Sequence, residues 1–253
     1  MKSEVKHMSK QTRWNEILNI TREKESVTVT QLQKELGVSV ATIRRDLQEM
    51  DDLNLLIRFH GGAKMDTTQY NEPSMLIKTA RHKEEKKRIG LLAARQIKDN
   101  QMVYLDAGST TYEIIPFIKA KNITIVTPGI PHIELLGKAG ISTIALGGYV
   151  YWNTQSIIGH PAMKQLENLY FDIAFIGTNG IHEQSGFSTS NELEASTKSL
   201  AMEHAHNSFV VCDRTKFNQL RPVKFASLDQ ATIITDSIDQ FDTTKIRYML
   251  TKG

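Results

Sequence analysis

The chain has 253 residues, of which 40% are hydrophobic and 23% charged, as in a globular protein with room for one large or two modest domains. A net charge of +3 is too small to indicate nucleic-acid binding by itself. No apolar run could span a membrane and the N-terminus lacks a signal-peptide core, so a cytoplasmic protein without membrane contact is predicted. The single Cys212 excludes an internal disulfide, and Met1 and Met8 both remain open as the native start.

Three helices and a hairpin are predicted within the first 65 residues. Apolar residues recur at i, i+3, i+4 and i+7 over residues 14–21, as on an amphipathic helix. Thr30 is placed to cap a short second helix, Gly37 to end it and Ser39 to cap a third helix. The segment LLIRFHGGAKM then reads as two short strands joined by Gly-Gly. This order is typical of a winged helix-turn-helix, which reads the major groove of DNA.

The start of the third helix and the wing provide the candidate DNA contacts. Arginine can grip guanine O6 and N7 together, and small side chains allow the helix to approach the bases. Basic residues on the wing suit contacts to phosphates or to the minor groove. The predicted DNA-binding residues are Ser39, Val40, Ala41, Thr42, Arg44, Arg45, Arg58, His60 and Lys64.

Two charged segments leave alternatives open. The third helix could instead be an ordinary surface helix whose arginines pair with the neighbouring acids, Asp46, Glu49, Asp51 and Asp52. Residues 78–99 form a further predicted helix, with Ile89, Leu92, Ala93 and Ile97 on one face. Its basic residues 81–88 suit either a solvated surface, which we favour, or contact with a phosphate backbone.

The second half of the chain predicts an α/β domain with a parallel sheet. Short β-branched runs alternate with helical stretches between residues 101 and 236: MVYLD, NITIVT, ISTIAL, FDIAFIG, SFVVCD and ATIITD. The polar segment 66–78 is predicted to be a linker. The expected architecture is therefore α/β overall, with a winged helix-turn-helix domain over 9–65 and a parallel-sheet α/β effector domain over 79–253.

Five loops that follow these strands are rich in glycine, hydroxyl and polar residues. In the first, YLDAGSTTYE at residues 104–113, a strand passes through small hydroxylated residues into a helix, an arrangement that favours anions. Loops at the carboxyl ends of parallel strands cluster where ligands bind. Hydroxyls and amides suit a sugar, and amides with Lys or Arg suit a phosphate. Each loop alone could be structural, but the set predicts a polyol-phosphate pocket.

The segment VSVATIRRDLQEM…LIRFHGGA resembles the winged helix-turn-helix signature of the DeoR family of bacterial sugar-metabolism repressors. The similarity covers nearly the whole chain, and it implies an effector domain related to ribose-5-phosphate isomerase. Residues 106–111 match the family's D-x-G-[ST]-T-T loop, which implies contact with the effector's phosphate. Thr178, Ser190 and Arg214 depart from the family motifs around them. The predicted effector-binding residues are Asp106, Gly108, Ser109, Thr110, Thr111, Thr127, Gly147, Gly148, Asn179, Glu194, Lys198, Asp213 and Lys216.

The chemistry of the isomerase relatives is predicted to be absent. Those enzymes need a carboxylate base, and the resemblance places Ile176 where their acid stands. No P-loop or dinucleotide fingerprint is present, and His204 and His206 are spaced two apart, which does not suit a metal pair on a helix. We therefore expect a protein with no cofactor, no metal and no catalytic residue.

The predicted function is that of a DNA-binding transcriptional regulator, a repressor of a carbohydrate-utilisation operon whose operator binding responds to a phosphorylated sugar. The expected partners are double-stranded operator DNA, the sugar phosphate, and further copies of the chain in a homodimer or homotetramer. An active sugar-phosphate isomerase with an accessory DNA-binding domain is the alternative, and a structural or interaction protein is a third possibility. Which sugar acts, on which operon and with which sign, the residues leave open.

Overall fold

The computed structural model describes residues 8–24, 26–52, 56–64, 72–239 and 241–252. The chain forms two units, Met1–Ile77 and Lys78–Gly253. Residues 1–7, on which the choice between Met1 and Met8 as the native start depends, lie outside the described residues, and so do residues 66–71 of the predicted linker.

The N-terminal unit is a winged helix-turn-helix, as the sequence predicts. Its elements in chain order are α1 (Lys10–Glu23), β1 (Ser26–Thr28), α2 (Val29–Leu36), α3 (Val40–Asp52), β2 (Ile57–Phe59) and β3 (Gly62–Lys64). The strands form an antiparallel sheet in the order β1-β3-β2. The apolar faces of the helices meet in one core, which includes Ile17, Leu32, Ile43 and Leu47.

The helix ends of this unit follow local hydrogen bonds. Gly37 ends α2 in the left-handed conformation, with φ 67°, as predicted. The cap of α2 is Thr28 and not Thr30, because the Thr28 hydroxyl accepts from the Gln31 N–H at 3.2 Å and Gln31 Oε1 accepts from the Thr28 N–H at 2.7 Å. Thr30 lies one residue inside the helix. The Thr28 and Gln31 N–H groups are already bonded by the side chains of Gln31 and Thr28.

The end of the predicted linker is helical. α4 (Met75–Ala80) covers residues that the sequence assigns to the linker, and Met75 and Ile77 are buried. α5 (Lys83–Ala94) follows after a break at His82, whose φ is 50°. The long helix predicted over 78–99 is therefore two helices, because a left-handed residue interrupts the turn between them.

The C-terminal unit is built on a parallel seven-stranded sheet in the order β15-β14-β12-β9-β4-β5-β6. Its strands are β4 (Met102–Leu105), β5 (Thr124–Thr127), β6 (Ser142–Ala145), β9 (Phe171–Gly177), β12 (Ala205–Val211), β14 (Thr232–Thr235) and β15 (Arg247–Leu250). Every β-branched run of the sequence became one of these strands, which confirms the predicted α/β class. The edge strand β15 was not predicted.

Helices and small sheets surround this central sheet. The helices are α6 (Ser109–Tyr112), α7 (Ile130–Lys138), α8 (His160–Leu166) and α9 (Glu192–Glu203), and the outer strands are β7 (Tyr149–Tyr151), β8 (Ser156–Ile158), β10 (Gly180–His182), β11 (Gly186–Thr189) and β13 (Val223–Ala226). Alternate residues of the sheet enter two apolar clusters: Tyr104 and Ile176 belong to one, Leu105 and Phe175 to the other. Burial on both faces explains why the central strands read as continuous apolar runs. Across the described residues no helix has the length and apolar character needed to cross a bilayer.

Candidate functional site

The exposed face of α3 carries the two arginines predicted to contact DNA. Ala41, Arg44 and Arg45 are exposed, while the apolar residues of the helix are buried in the core. Val40 differs from its prediction, since it is half-buried and packs against that core. The exposed face of the helix therefore carries the small residue Ala41 and the two guanidinium groups. The Val40 side chain contributes to the core.

The helix cap and the wing flank this face. Ser39 caps α3 as predicted, because its hydroxyl accepts from the Thr42 N–H at 3.1 Å and bonds the Thr42 hydroxyl at 2.9 Å. Thr42 is half-buried, and both its N–H and its hydroxyl are bonded to Ser39. On the wing, Arg58, His60 and Lys64 are all exposed. The wing thus presents basic groups next to α3, in keeping with a winged helix-turn-helix.

The acids of α3 do not pair with its arginines. Asp46 is 2% exposed and accepts hydrogen bonds from the Trp14 indole at 2.9 Å and from Arg13 Nη2 at 3.0 Å. The hydrogen bond and charge of Asp46 raise the pKa of Arg13 against the opposing effect of burial. Asp46 thus ties α3 to α1 inside the unit.

The remaining acids of α3 are also engaged elsewhere, by Lys10 at Glu49, by the Arg58 N–H at Asp51 and by Gln48 at Asp52. Neither Arg44 nor Arg45 forms a hydrogen bond or ion pair with any residue that the structure describes. The alternative of an ion-paired surface helix is therefore not what the structure shows, and both guanidinium groups are available to a ligand.

In the C-terminal unit, Asp106 is the centre of a buried polar network at the end of β4. It is 4% exposed, and its Oδ2 accepts from the Gly177 N–H at 2.8 Å and from the ammonium of Lys198 on α9. Lys198 is 6% exposed. The network joins the loops after β4 and β9 to one helix, and it brings together Asp106 and Lys198, two of the predicted effector-binding residues.

The D-A-G-S-T-T loop is closed by its last threonine. The Thr111 hydroxyl lies 2.6 Å from the Asp106 carbonyl, 2.9 Å from the Gly108 carbonyl and 3.0 Å from His132 Nε2. Burial lowers the pKa of His132 to about 4, so the ring is neutral at physiological pH. His132 was missed by the sequence reasoning, although it stands one turn into the helix that follows the second loop.

The helix after this loop is too short to act as a strong dipole. α6 has four residues, Ser109–Tyr112, with Gly108 as its N-cap, and Ser109 and Thr110 are buried. The anion site predicted from a helix N-terminus thus has little macrodipole behind it, because the dipole arises from many aligned peptides. The dipole of α6 alone is therefore a weak source of positive charge at this loop.

Glu194 and Asn191 organise the start of α9. Asn191 caps the helix by accepting from the Leu193 N–H at 2.9 Å. Glu194 accepts from the hydroxyls of Thr154 at 2.6 Å and Ser156 at 3.1 Å. The predicted effector residue Glu194 is therefore bound to the β7–β8 hairpin, one helical turn before Lys198.

The other predicted loop residues have identifiable local roles. Thr127 is buried and its hydroxyl accepts from the Gly129 N–H at 3.1 Å. Gly147, which precedes Gly148 in an exposed loop, is bonded through both its N–H and its carbonyl to Gln165 of α8. Asn179 accepts from Lys78 Nζ at 3.3 Å. Of these, Asn179 lies in the loop that begins at Gly177, next to the Asp106 network.

A buried lysine that the sequence reasoning assigned to the solvent lies close to this loop. Lys86 on α5 is 3% exposed, and its ammonium donates to the carbonyls of Lys78 and Arg81, the latter at 2.8 Å. Burial lowers the pKa of Lys86 to about 8; Asp213 opposes the shift, while Lys216 and Lys78 add to it. Its position three and seven residues before the buried Ile89 and Ala93 of the same helix was the available signal.

Further cations share this region. Burial lowers the pKa of Lys216 against the opposing charge of Asp213, and Lys78 and Arg221 lower it further. Burial acts to raise the pKa of Asp213, but Lys216, Thr215 and Lys86 outweigh it and the net shift is downward. We call the four residues Lys78, Lys86, Lys216 and Arg221 the cation cluster. Asp213 favours the charged forms of both Lys86 and Lys216, and Glu113 favours that of Lys86.

A winged helix-turn-helix joined to an α/β domain with a polar, cationic loop region defines a class of proteins, the transcriptional regulators with a separate sensing unit. Two family models match the chain: a DeoR-like helix-turn-helix domain over residues 13–69, and a DeoR C terminal sensor domain over residues 81–237. The chain therefore belongs to the DeoR family, and it is a DNA-binding transcriptional regulator rather than an enzyme. Ile176, which stands where the isomerase acid was expected, is fully buried in the core.

Curated relatives carry corresponding names. The HTH-type transcriptional regulator FruR of Bacillus subtilis is 36% identical over 88% of this chain and 90% of its own length. The lactose phosphotransferase system repressor of Streptococcus mutans is 31% identical over 94% and 97%. A putative aga operon transcriptional repressor of Escherichia coli O157:H7 is 34% identical over 82% and 78%.

Among solved structures, a ribose 5-phosphate isomerase from Plasmodium falciparum matches with a TM-score of 0.39 and 17% identity over 52% of each chain. The full-length sorbitol operon regulator SorC from Klebsiella pneumoniae matches with a TM-score of 0.37 and 12% identity over 79% of this chain and 88% of its own. Likenesses at this level carry no functional argument.

Proposed function

We propose that the C-terminal unit binds a phosphorylated sugar, with the phosphate at the cation cluster and the sugar hydroxyls at the Asp106 network. The observation that carries the proposal is the environment of Lys86. Its buried ammonium is bonded to two neutral carbonyls, which leaves one of its three protons for a further acceptor. The charges of Lys216 and Lys78 disfavour its protonated form, and Arg221 acts in the same sense on Lys216. A dianionic phosphate would relieve this excess of charge, because charge-assisted hydrogen bonds are the strong ones.

The sugar part of the ligand is assigned to polar groups that lie along the same loops. Asp106, Lys198 and Asn179 combine acceptors and donors in a partly buried setting, which suits the paired donor and acceptor character of sugar hydroxyls. Thr111 and Glu194 are assigned a supporting role, since their side chains are already bonded within the loop and to the hairpin. Ser109, Thr110, Thr127, Gly147, Gly148, Asp213 and Lys216 complete the proposed effector loops.

A thermal-shift screen of sugar phosphates against the matching free sugars tests this assignment. A phosphate ester should stabilise the full chain while its free sugar does not, because only the ester engages the cation cluster. Lys86→Gln should sharply reduce the shift. Lys87→Gln is the matched control, because Lys87 is the next residue and forms a surface pair with Glu84. Equal shifts for both variants would refute the role of Lys86.

For the N-terminal unit we propose that residues 9–65 form the DNA-binding domain and that Ala41, Arg44 and Arg45 contact base edges, with Arg58, His60 and Lys64 on the backbone. The exposure of both arginines without an acidic partner among the described residues supports this role. Regulation then follows from linkage: a sugar phosphate that binds one arrangement of the 79–253 domain better shifts the operator affinity. A gel shift with and without the ligand found by thermal shift measures that coupling.

We further propose that the regulator acts on a carbohydrate operon as a homodimer or homotetramer. Helix-turn-helix proteins bind paired half-sites through two-fold symmetry, since one recognition helix contacts few base pairs. Light scattering at working concentration should give at least twice the monomer mass, and a monomer that binds its operator tightly would contradict the proposal.

A further inference from the structure

The exposed face of α3 extends one turn beyond the arginines. Ala41, Arg44, Arg45 and Gln48 are all exposed and follow the i, i+3, i+4, i+7 spacing of one helix face. The third helix of homeodomains contacts bases with this same spacing. At a rise of 1.5 Å per residue, Gln48 lies about 10 Å along the axis from Ala41, within the roughly 12 Å width of the major groove. Gln48 is therefore within reach of bases whenever Ala41 and the arginines are.

The amide of Gln48 is held in one orientation by charged neighbours on both sides. Its Nε2 donates to Asp52 Oδ1 at 2.8 Å, and its Oε1 accepts from the Arg58 guanidinium of the wing. A carboxylate can only accept and a guanidinium can only donate, so a flipped amide would face both with the wrong group. The oxygen and nitrogen of Gln48 are therefore distinguished by their partners, as a base-reading amide requires.

Each polar atom of the amide retains one unused capacity. Oε1 has a second lone pair and Nε2 a second N–H, which together form an acceptor beside a donor. Adenine presents the complementary pair in the major groove, the N6 amino donor and the N7 acceptor. Because two contacts already restrict the side chain, less rotamer entropy is lost when a base binds.

We propose that Gln48 is a specificity-determining residue that reads one adenine in the operator, and that Arg58 is the positioning residue that orients its amide. Oε1 accepts from adenine N6 while Nε2 donates to N7. The wing then contributes to base readout through the recognition helix as well as to phosphate contact. This inference rests on the proposed use of α3 as the recognition helix.

The test is selection of random-sequence duplexes by the full chain, followed by sequencing of the bound pool. Gln48→Ala should lower the preference for adenine at one position by about 5- to 150-fold, the range that a bidentate pair supplies, and leave the other positions unchanged. Gln48→Glu should move the preference there to cytosine, whose N4 donates to a carboxylate. Gln33→Ala is the matched control, because Gln33 is an exposed glutamine on α2.

Arg45→Ala separates a failure of this inference from a failure of the recognition helix. If Arg45→Ala changes the selected sequence and Gln48→Ala does not, the inference is wrong and the recognition helix stands. If neither changes it, α3 does not read bases and both fall.

The role of Arg58 has its own readout. Arg58→Gln should weaken discrimination at the same adenine, and the loss in the double variant with Gln48→Ala should be no larger than in Gln48→Ala alone. Uniform weakening on all sequences, with a smaller salt dependence, would make Arg58 a phosphate contact only and overturn its positioning role.

Discussion

Replacing Lys198 by methionine should strongly destabilise the C-terminal unit. Methionine matches the length and flexibility of the lysine stem but removes the charge that faces Asp106. Because the side chains of Lys198 and Asp106 are only 7% and 5% exposed, water cannot replace the lost partner. Of the two hydrogen bonds that Asp106 Oδ2 accepts, the buried carboxylate would then keep only the one from the Gly177 N–H.

The expected loss of unfolding free energy is about 3–5 kcal/mol, the usual cost of removing one partner from a buried ion pair. For a domain of this size each kcal/mol lowers Tm by about 2–4 °C, so a fall on the order of 10 °C is expected. Adding Asp106→Asn should recover most of the loss, since the amide oxygen can still accept from Gly177 without a buried charge. The desolvation of the carboxylate, and not the lost attraction, therefore dominates the effect.

Native-state hydrogen exchange at the buried amides of β4 and β9 reports on this unit alone. Lys138→Met is the matched control: Lys138 pairs with Glu134, but both side chains are about 70% exposed, at 69% and 71%, and no measurable loss is expected. The reasoning is refuted if Lys198→Met costs less than about 1 kcal/mol, or if the double variant is no more stable than the single one.

Three further predictions concern other groups. Asp46→Asn should weaken the N-terminal unit by roughly 1–3 kcal/mol, because the half-buried guanidinium of Arg13 loses its counter-charge. Native-state hydrogen exchange at the buried amides of α1 and α3 measures the loss, and unchanged protection would contradict it. The affinity for a sugar phosphate should fall as pH rises through about 8, since ligand-free Lys86 then loses its proton. Calorimetric titration at several pH values should show this fall for the wild type, whereas the affinity of Lys86→Gln should not change with pH in that range. Thr111→Val should reduce both stability and sugar-phosphate affinity, because two carbonyls and His132 lose their bond to the hydroxyl, and equal affinity in the variant would exclude a role of loop closure in binding.

The winged helix-turn-helix could be predicted from local patterns alone. Helix periodicity, the Ser39 cap and the Gly37 stop depend on neighbours within about four residues. The helices and their ends can therefore be predicted from short stretches of sequence. The cap at Thr28 was missed because Thr28 and Thr30 both suit that position, and only the bond to Gln31 distinguishes them.

Six of the seven strands of the parallel sheet could also be predicted from the sequence. Central strands of a parallel sheet are buried on both faces and read as apolar runs, and six β-branched runs stood in order in the sequence. The edge strand β6 was among them although it is largely exposed, because its run, ISTIAL, is mostly β-branched and apolar. The other edge strand, β15, was missed because Arg247–Leu250 reads as a mixed segment.

The sequence alone predicts the three helices and the hairpin of the N-terminal unit, six strands of the parallel sheet, the family, and the loops at the carboxyl ends of the strands. The burial and pairing of individual charges depend on the tertiary structure. Lys86 in a run of lysines and Asp46 in a run of acids look solvated, yet both are buried, because burial depends on which helix packs above them. The same holds for Gln48 and Arg58, ten residues apart, whose contact exists only once the wing folds against α3. The burial and pairing of a charge are settled by contacts between distant segments, and a local pattern indicates only the face of the helix on which the residue lies.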